Sequence, residues 1–412
     1  MTTTVWTSDR VDLSAASATA LKAAARFWSA VILLGQLLFA FEVASFYGMA
    51  ALRGASARAW SKHITHGYVP GDFLGNFAVV MHLASAPIII LAGLIQLFPQ
   101  IRERAPWLHR WNGRLYIMTA FTISLAGLYM TWVRGSVGDL SQHLGSTLMA
   151  VLIMLFAGLA FRYAIARDFK THRRWALRLY LVVSASLFIR AGIFLSFVLN
   201  KGPFGFDPAT FSGPFLTFMT FAQYLVPLAV LEMYLRVQDR GGVSRRFAMA
   251  AGLFVLTIGM AIGVSVVTMV VFVPSIKKAF DSRKSIEATL STTIASNGVD
   301  AAISQYRSLK AAAPAIYNFE EGELNSLGYE LIQAKQFKEA VRIFQLNAAA
   351  YPKSSNTYDS LGEAYLDDGN RPLAIANFQR AIALNPKNYS AIGWLRKLGA
   401  PKSAELRLAV HR

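Results

Sequence analysis

Cysteine is absent from the 412 residues, so disulfides, thiolate metal ligands and a cysteine nucleophile are excluded. Acidic residues are scarce, with 23 Asp and Glu against 41 Lys and Arg, and charged residues of either sign form only 16% of the chain. Alternation of apolar and polar residues at period two is lacking, which argues against a membrane β-barrel. A Gly-x-Ser-x-Gly nucleophile elbow is missing too. Ser275-Ile276-Lys277-Lys278 fits Ser-x-x-Lys, but it falls in a linker at a membrane edge and matches by chance.

What the chain has in excess is apolar sequence. Hydrophobic residues make up 54% of it, concentrated before residue 275. Several runs there exceed about 18 residues, enough to cross a bilayer as a helix. The run at about 27–50 is too long for a signal-peptide core and reads as a retained first span. Further spans are expected at about 73–98, 111–133, 143–166, 175–198, 214–235 and 247–274. The expected fold class is therefore all-α, a seven-helix membrane domain over 27–274.

The net charge of +18 does not point to nucleic acid, because many basic residues sit in short loops between apolar runs. Arg102, Arg104, Arg110 and Arg114 mark one loop; Arg167, Lys170, Arg173, Arg174 and Arg178 a second; Arg236, Arg240, Arg245 and Arg246 a third. Of the intervening loops, 135–142 has no basic residue, though Arg134 lies at its edge, and 199–213 has only Lys201. The loop at 51–72 breaks the pattern with Arg53, Arg58 and Lys62. By the positive-inside bias, residues 1–26 form a cytoplasmic tail and everything after the seventh span lies outside the cytoplasm. A bacterial inner membrane is the expected setting, with the lipid bilayer as the first partner.

Within the membrane domain one unit occurs twice, as hairpins at about 73–133 and 140–198. His82-Leu83-Ala84-Ser85 leads to His109-Arg110-Trp111-Asn112-Gly113-Arg114-Leu115-Tyr116, and His143-Leu144-Gly145-Ser146 leads to His172-Arg173-Arg174-Trp175-Ala176-Leu177-Arg178-Leu179-Tyr180. Four of the seven histidines occupy these matched places. Asp139 stands near enough to His143 to orient its imidazole. His63 and His66 would share a face if their loop is helical, but no third ligand accompanies them.

Ionisable residues inside apolar runs are costly and mark functional sites by default. Glu42, His82 and Arg190 lie at similar depths in the first, second and fifth spans, and are expected to form one intramembrane polar cluster. Glu42 and Arg190 would neutralise each other there. Asn76, Gln223 and Tyr224 are weaker candidates for the same pocket, and Glu232 reads as a snorkelling carboxylate.

Residues 275–285 form a linker, 286–400 read as helical throughout, and 401–412 are a basic tail. A period of 34 runs through the helical part. Tyr358, Leu361, Gly362, Tyr365, Ala374, Phe378 and Pro386 correspond, one period earlier, to Leu324, Leu327, Gly328, Leu331, Ala340, Phe344 and Pro352, while Ala381 has Asn347 in its place, a departure from the pattern. Ala302, Tyr306, Leu309 and Pro314 form a degenerate copy, and 389–398 reads as a capping helix. These are tetratricopeptide positions: small residues bring paired helices together and aromatics fill the gaps. About three units bury a continuous core.

Three resemblances follow from these residues. The four matched histidines, with Leu108-His109-Arg110-Trp111-Asn112-Gly113, resemble diheme b-type cytochromes, the ascorbate-linked family included. That resemblance implies haem b held by His82 with His143 and by His109 with His172, since neutral imidazole is the usual axial donor. The alternative reading makes His109 and His172 interfacial anchors among their arginines and tryptophans, and metal or proton handling stands as a third. Residues of about 30–240 are similar to an uncharacterised bacterial membrane family, which implies an architecture and no activity. The run from Asn318 to Tyr329 resembles a module at the C-terminal end of secreted bacterial serine hydrolases and implies an extracytoplasmic setting. Two functions are in play: partner binding by the repeats, which implies a docked protein or peptide, and a redox or solute/proton transport unit in the membrane. Whether the chain is an enzyme stays open.

Overall fold

The computed structural model describes residues 5–49, 69, 71–135, 138–202, 204–206 and 211–401, with side chains from residue 13. His63, His66 and most of the basic tail fall outside them. The chain divides into two compact units, with the boundary in sequence between Phe280 and Asp281.

The first unit is a bundle of long apolar helices. Helix α1 runs Val5–Val43, so most of the stretch expected as a polar tail is helical. It is followed by α2 (Phe73–Leu97), the short α3 (Pro99–Arg104), α4 (Pro106–Tyr129) and α5 (Leu140–Ile165). Then come α6 (Phe169–Val183), α7 (Ala185–Asn200), α8 (Pro214–Arg240), α9 (Val243–Val267) and α10 (Val273–Phe280). Among the described residues, three segments widen into π-helix: Ala44–Gly48 after α1, Met130–Gly135 after α4 and Thr268–Phe272 after α9.

Among the described residues, six helices are long and apolar enough to cross a membrane. The fifth expected span, at about 175–198, is instead a bent pair, α6 and α7, meeting at 49°. The break has a local cause. The Ser184 hydroxyl donates to Tyr180 O at 2.8 Å, a back-bond that competes with the backbone ladder and bends helices.

Leu34, Phe41, Met118 and Val255 are among many large apolar side chains turned outward. Such a surface is a liability in water, whereas lipid solvates it, and this is a multi-pass membrane protein. Small residues set the closest approach between helices, as is usual without a hydrophobic drive between them. A Cβ at Gly263 would fall 2.2 Å from the Ala191 carbonyl oxygen, so α9 and α7 meet backbone to backbone.

Helix starts account for several polar residues. Asp139 accepts from Gln142 N (2.9 Å) while Gln142 Oε1 accepts from Asp139 N (3.0 Å), a capping box that opens α5. This carboxylate thus caps its own helix. Glu232 has a partner, Arg178, at 2.7 Å.

The second unit has its own core. Helix α11 (Ile286–Ala312) is folded back at Gly298, whose φ of 83° suits glycine. Thr293 on one limb donates to Gln305 on the other at 2.6 Å. Two hairpins follow, α12 (Glu321–Gln333) with α13 (Phe337–Ala350) and α14 (Ser355–Asp367) with α15 (Arg371–Leu384), and then α16 (Tyr389–Lys397). Two-residue strands pair in parallel beside them, Lys284 with Tyr317 and Ser285 with Asn318.

The same lock closes both hairpins. A Cβ on Gly328 would sit 2.4 Å from the Phe344 ring, and one on Gly362 would sit 2.6 Å from Phe378. Leu327, Ala340, Phe344, Leu361, Ala374, Phe378 and Ala381 are all buried. Phe378 thus fills its own hairpin over Gly362, and its other face stacks on Trp394 of α16 at 6.1 Å.

Two acids of α14, the half-buried Glu363 and the buried Asp359, face α16. Glu363 accepts from Tyr329 (2.8 Å) and Trp394 (3.0 Å). Asp359, one helical turn away, is buried, and its Oδ1 has no partner among the described residues. Burial, and then the neighbouring Glu363 charge, push the Asp359 carboxyl up to about 6 from 3.8. The native state therefore holds this proton more tightly than the unfolded chain does. Its stabilising effect is complete below the unfolded value and is lost as pH rises through that window to about 6. Asp359→Asn should raise the stability of this unit at neutral pH by roughly 2 kcal/mol and flatten its slope across the window. Hydrogen exchange of α14 amides in the full-length protein, corrected for intrinsic rates, checks this. An unchanged slope would show that Asp359 titrates normally.

Candidate functional site

Six helices of the membrane unit and all three π-helical segments surround one cavity of about 670 Å³. Single π turns inside α-helices are uncommon and recur at functional sites, because the extra residue re-aims side chains. Here Tyr47 comes from the first, Thr131 and Arg134 from the second, and Val271 and Phe272 from the third. The remaining wall is largely aliphatic, with Ile89, Ile90, Ile153 and Val182 among its residues.

Glu42, His82 and Arg190 all line this cavity. His82 Nδ1 lies 3.2 Å from the Ile123 carbonyl oxygen. A carbonyl only accepts, so Nδ1 carries the proton and Nε2 is the acceptor of the neutral ring. Arg190 Nη1 donates to Ser186 O at 2.8 Å, and the guanidinium lies 4.5 Å over the Phe39 ring. Glu42 has Ser275 placed to donate to it, and feels the Arg190 charge through space. The two charges do not close into a contact ion pair; the guanidinium is braced on Ser186 O and the Phe39 ring instead.

Arg134, placed by sequence at the edge of a loop, is a cavity residue with only 4% of its side chain exposed. Nη2 donates to Asn76 Oδ1 at 2.9 Å and Nη1 lies 3.5 Å from Asp72 Oδ2. Gly75 makes room for this cluster, since a Cβ there would fall 2.0 Å from Asp72 Oδ2. Asn76 thus holds Arg134 rather than lining the cavity. Ser124 was missed as well: it lines the cavity, is 4% exposed, and its hydroxyl has no partner among the described residues. No sequence signal distinguishes it from other helical serines. Gln223 and Tyr224 are buried elsewhere, Gln223 donating to Thr220 O (2.8 Å) and Tyr224 to Gly145 O (3.2 Å).

The duplicated histidines diverge. Of the four, only His82 lines the cavity. The His143 ring meets Trp132 edge-on at 6.0 Å. His109 lies 14 residues before Ile123 on α4, roughly 20 Å along the helix from the His82 contact. There it stands within electrostatic reach of His172 and Arg102. His172 Nδ1 is fixed by Ala160 O at 2.8 Å. This cavity does not supply two facing imidazoles, so it does not fit a bis-histidine haem. Around His109 and His172 the repeat has a structural use. Arg114 lies 4.7 Å over Trp111, and Arg178 lies 4.5 Å over Trp175, the same i, i+3 stack in both copies.

Residues 79–226 match a family described as predicted membrane protein (DUF2306). His82, Arg134 and Arg190 fall inside the matched region, while Glu42, Phe39 and Phe272 fall outside it. No curated protein and no solved structure matches the chain.

Proposed function

We propose that the membrane unit is a small-molecule binding unit, and that its cavity is the place where a solute is held for transfer. One observation carries this reading: ionisable side chains from α1, α2 and α7 front a single cavity bordered by three π-helical turns. The volume, about 670 Å³, suits a small organic ligand, and an apolar wall with a few convergent polar groups is the usual make-up of such sites.

The C-terminal unit is, in this proposal, a tetratricopeptide-like domain that docks a protein or peptide. Two hairpins closed by the same Gly–Phe lock, Gly328 on Phe344 and Gly362 on Phe378, support that assignment, and stacked repeats of this kind present extended binding surfaces. The loop charges support a cytoplasmic N-terminus in a bacterial inner membrane, with this domain on the far side.

Filling the cavity tests the membrane half. Purified full-length protein and its Ala86→Trp variant are screened by thermal shift against a set of small organic solutes. A binding solute should raise the melting point of the wild type and leave the variant unmoved. A ligand at about one hundred times its Kd stabilises by roughly 2.7 kcal/mol. Equal shifts in both proteins, or none in either, would sink the reading.

A further inference from the structure

We propose that the cavity selects a zwitterion: an ammonium group at Glu42 and an anionic group at Arg190, with the ligand's hydrocarbon part on the aliphatic wall. This rests on the binding-unit reading above and names its ligand class.

The argument begins with the way the two charges are held. A structural ion pair would close, because each group then neutralises the other where water is scarce. Here the guanidinium is drawn onto the Phe39 ring and the Ser186 carbonyl oxygen, and the carboxylate fronts the same cavity without meeting it. Separated opposite charges at low dielectric favour a ligand that carries the complementary pair. A simple anion meets Arg190 but is repelled by Glu42, and a simple cation meets the reverse penalty.

His82 sharpens the choice. With Nδ1 committed to Ile123 O, the neutral ring offers an acceptor and no donor, which suits an ammonium N–H and not a second anion. Ile89, Ile90, Val182 and Phe272 provide the apolar wall for the rest of the molecule. Two sources supply this chemistry: a free amino acid with a large apolar side chain, and the headgroup of a zwitterionic phospholipid.

The test uses full-length protein in nanodiscs of phosphatidylglycerol, which lack any zwitterionic lipid. The probes are L-phenylalanine, dihexanoyl phosphatidylethanolamine, and two analogues of phenylalanine with one charge each, hydrocinnamate and phenethylamine. At least one zwitterion should bind about tenfold or more tightly than both single-charge analogues, the size expected for one charge-assisted contact. Phenylalanine as the winner identifies a free solute; phosphatidylethanolamine identifies a headgroup. Glu42→Gln should abolish the preference over hydrocinnamate, and Arg190→Gln the preference over phenethylamine.

The comparison among probes on the wild type needs no variant to fold. Binding of hydrocinnamate or phenethylamine as tight as that of the zwitterions overturns the proposal. If that binding is still lost in Ala86→Trp, the cavity remains a ligand site of another class. Binding by none of the four overturns the zwitterion.

Discussion

Gly328→Ala combined with Gly362→Ala should destabilise the C-terminal unit by roughly 2–6 kcal/mol, taking about 1–3 for each overpacked site. A domain has only about 5–15 kcal/mol in hand. The size follows from what the new methyl groups meet. They would lie 2.4 and 2.6 Å from the rings of Phe344 and Phe378, both fully buried, so neither ring can swing aside. Either the helices of each hairpin part or the ring leaves its rotamer. Hydrogen exchange over 321–398 in the full-length protein measures the loss. Phe344→Leu on the Gly328→Ala background should recover part of it by making room. Wild-type exchange in that variant would show that the Gly–Phe contacts are not what closes the hairpins.

The second large effect lies in the membrane unit. Arg190→Met should lower the melting point of the purified protein, because it leaves Glu42 facing the cavity without the opposite charge that it feels through space. Adding Glu42→Gln should restore most of the loss. The coupling expected for charges that share a site without touching is roughly 1–3 kcal/mol. Strictly additive losses would mean that the two groups do not sense each other, and would also remove the ground for a ligand placed between them. Arg134→Met is a useful contrast. Its partners are Asp72 and Asn76, so Glu42→Gln should not rescue it.

Much of this was legible in the residues. Glu42, His82 and Arg190 stand out because a charge or imidazole inside an apolar run is conspicuous in any sequence. Arg134 was not, because it ends its run and looks like an ordinary loop cation; its burial depends on Gly75 leaving space beneath Asp72. Asp139 carries a role its neighbours in sequence did not advertise: its distance from His143 suggested a partner, and the fold shows it capping its own helix start. The repeated histidines diverge for a related reason. Matched sequence positions do not guarantee matched environments once α6 and α7 bend at Ser184 while α4 continues unbroken to Tyr129.

What the sequence by itself determined is what depends on short-range periodicity and transfer energy. Long apolar runs without period-two alternation must be helices in lipid, since a helix satisfies its own backbone groups and the pattern of a closed barrel is missing. A 34-residue period of small and aromatic positions must fold as stacked hairpins, because each repeat buries its apolar face only against its neighbour. The tertiary structure decided the rest. Whether Glu42 and Arg190 close on each other or stand apart, and whether His82 pairs with another histidine or with the Ile123 carbonyl, depends on which helices pack together and where they widen into π turns. Those choices are set by contacts between residues far apart in the chain, and no local pattern carries them.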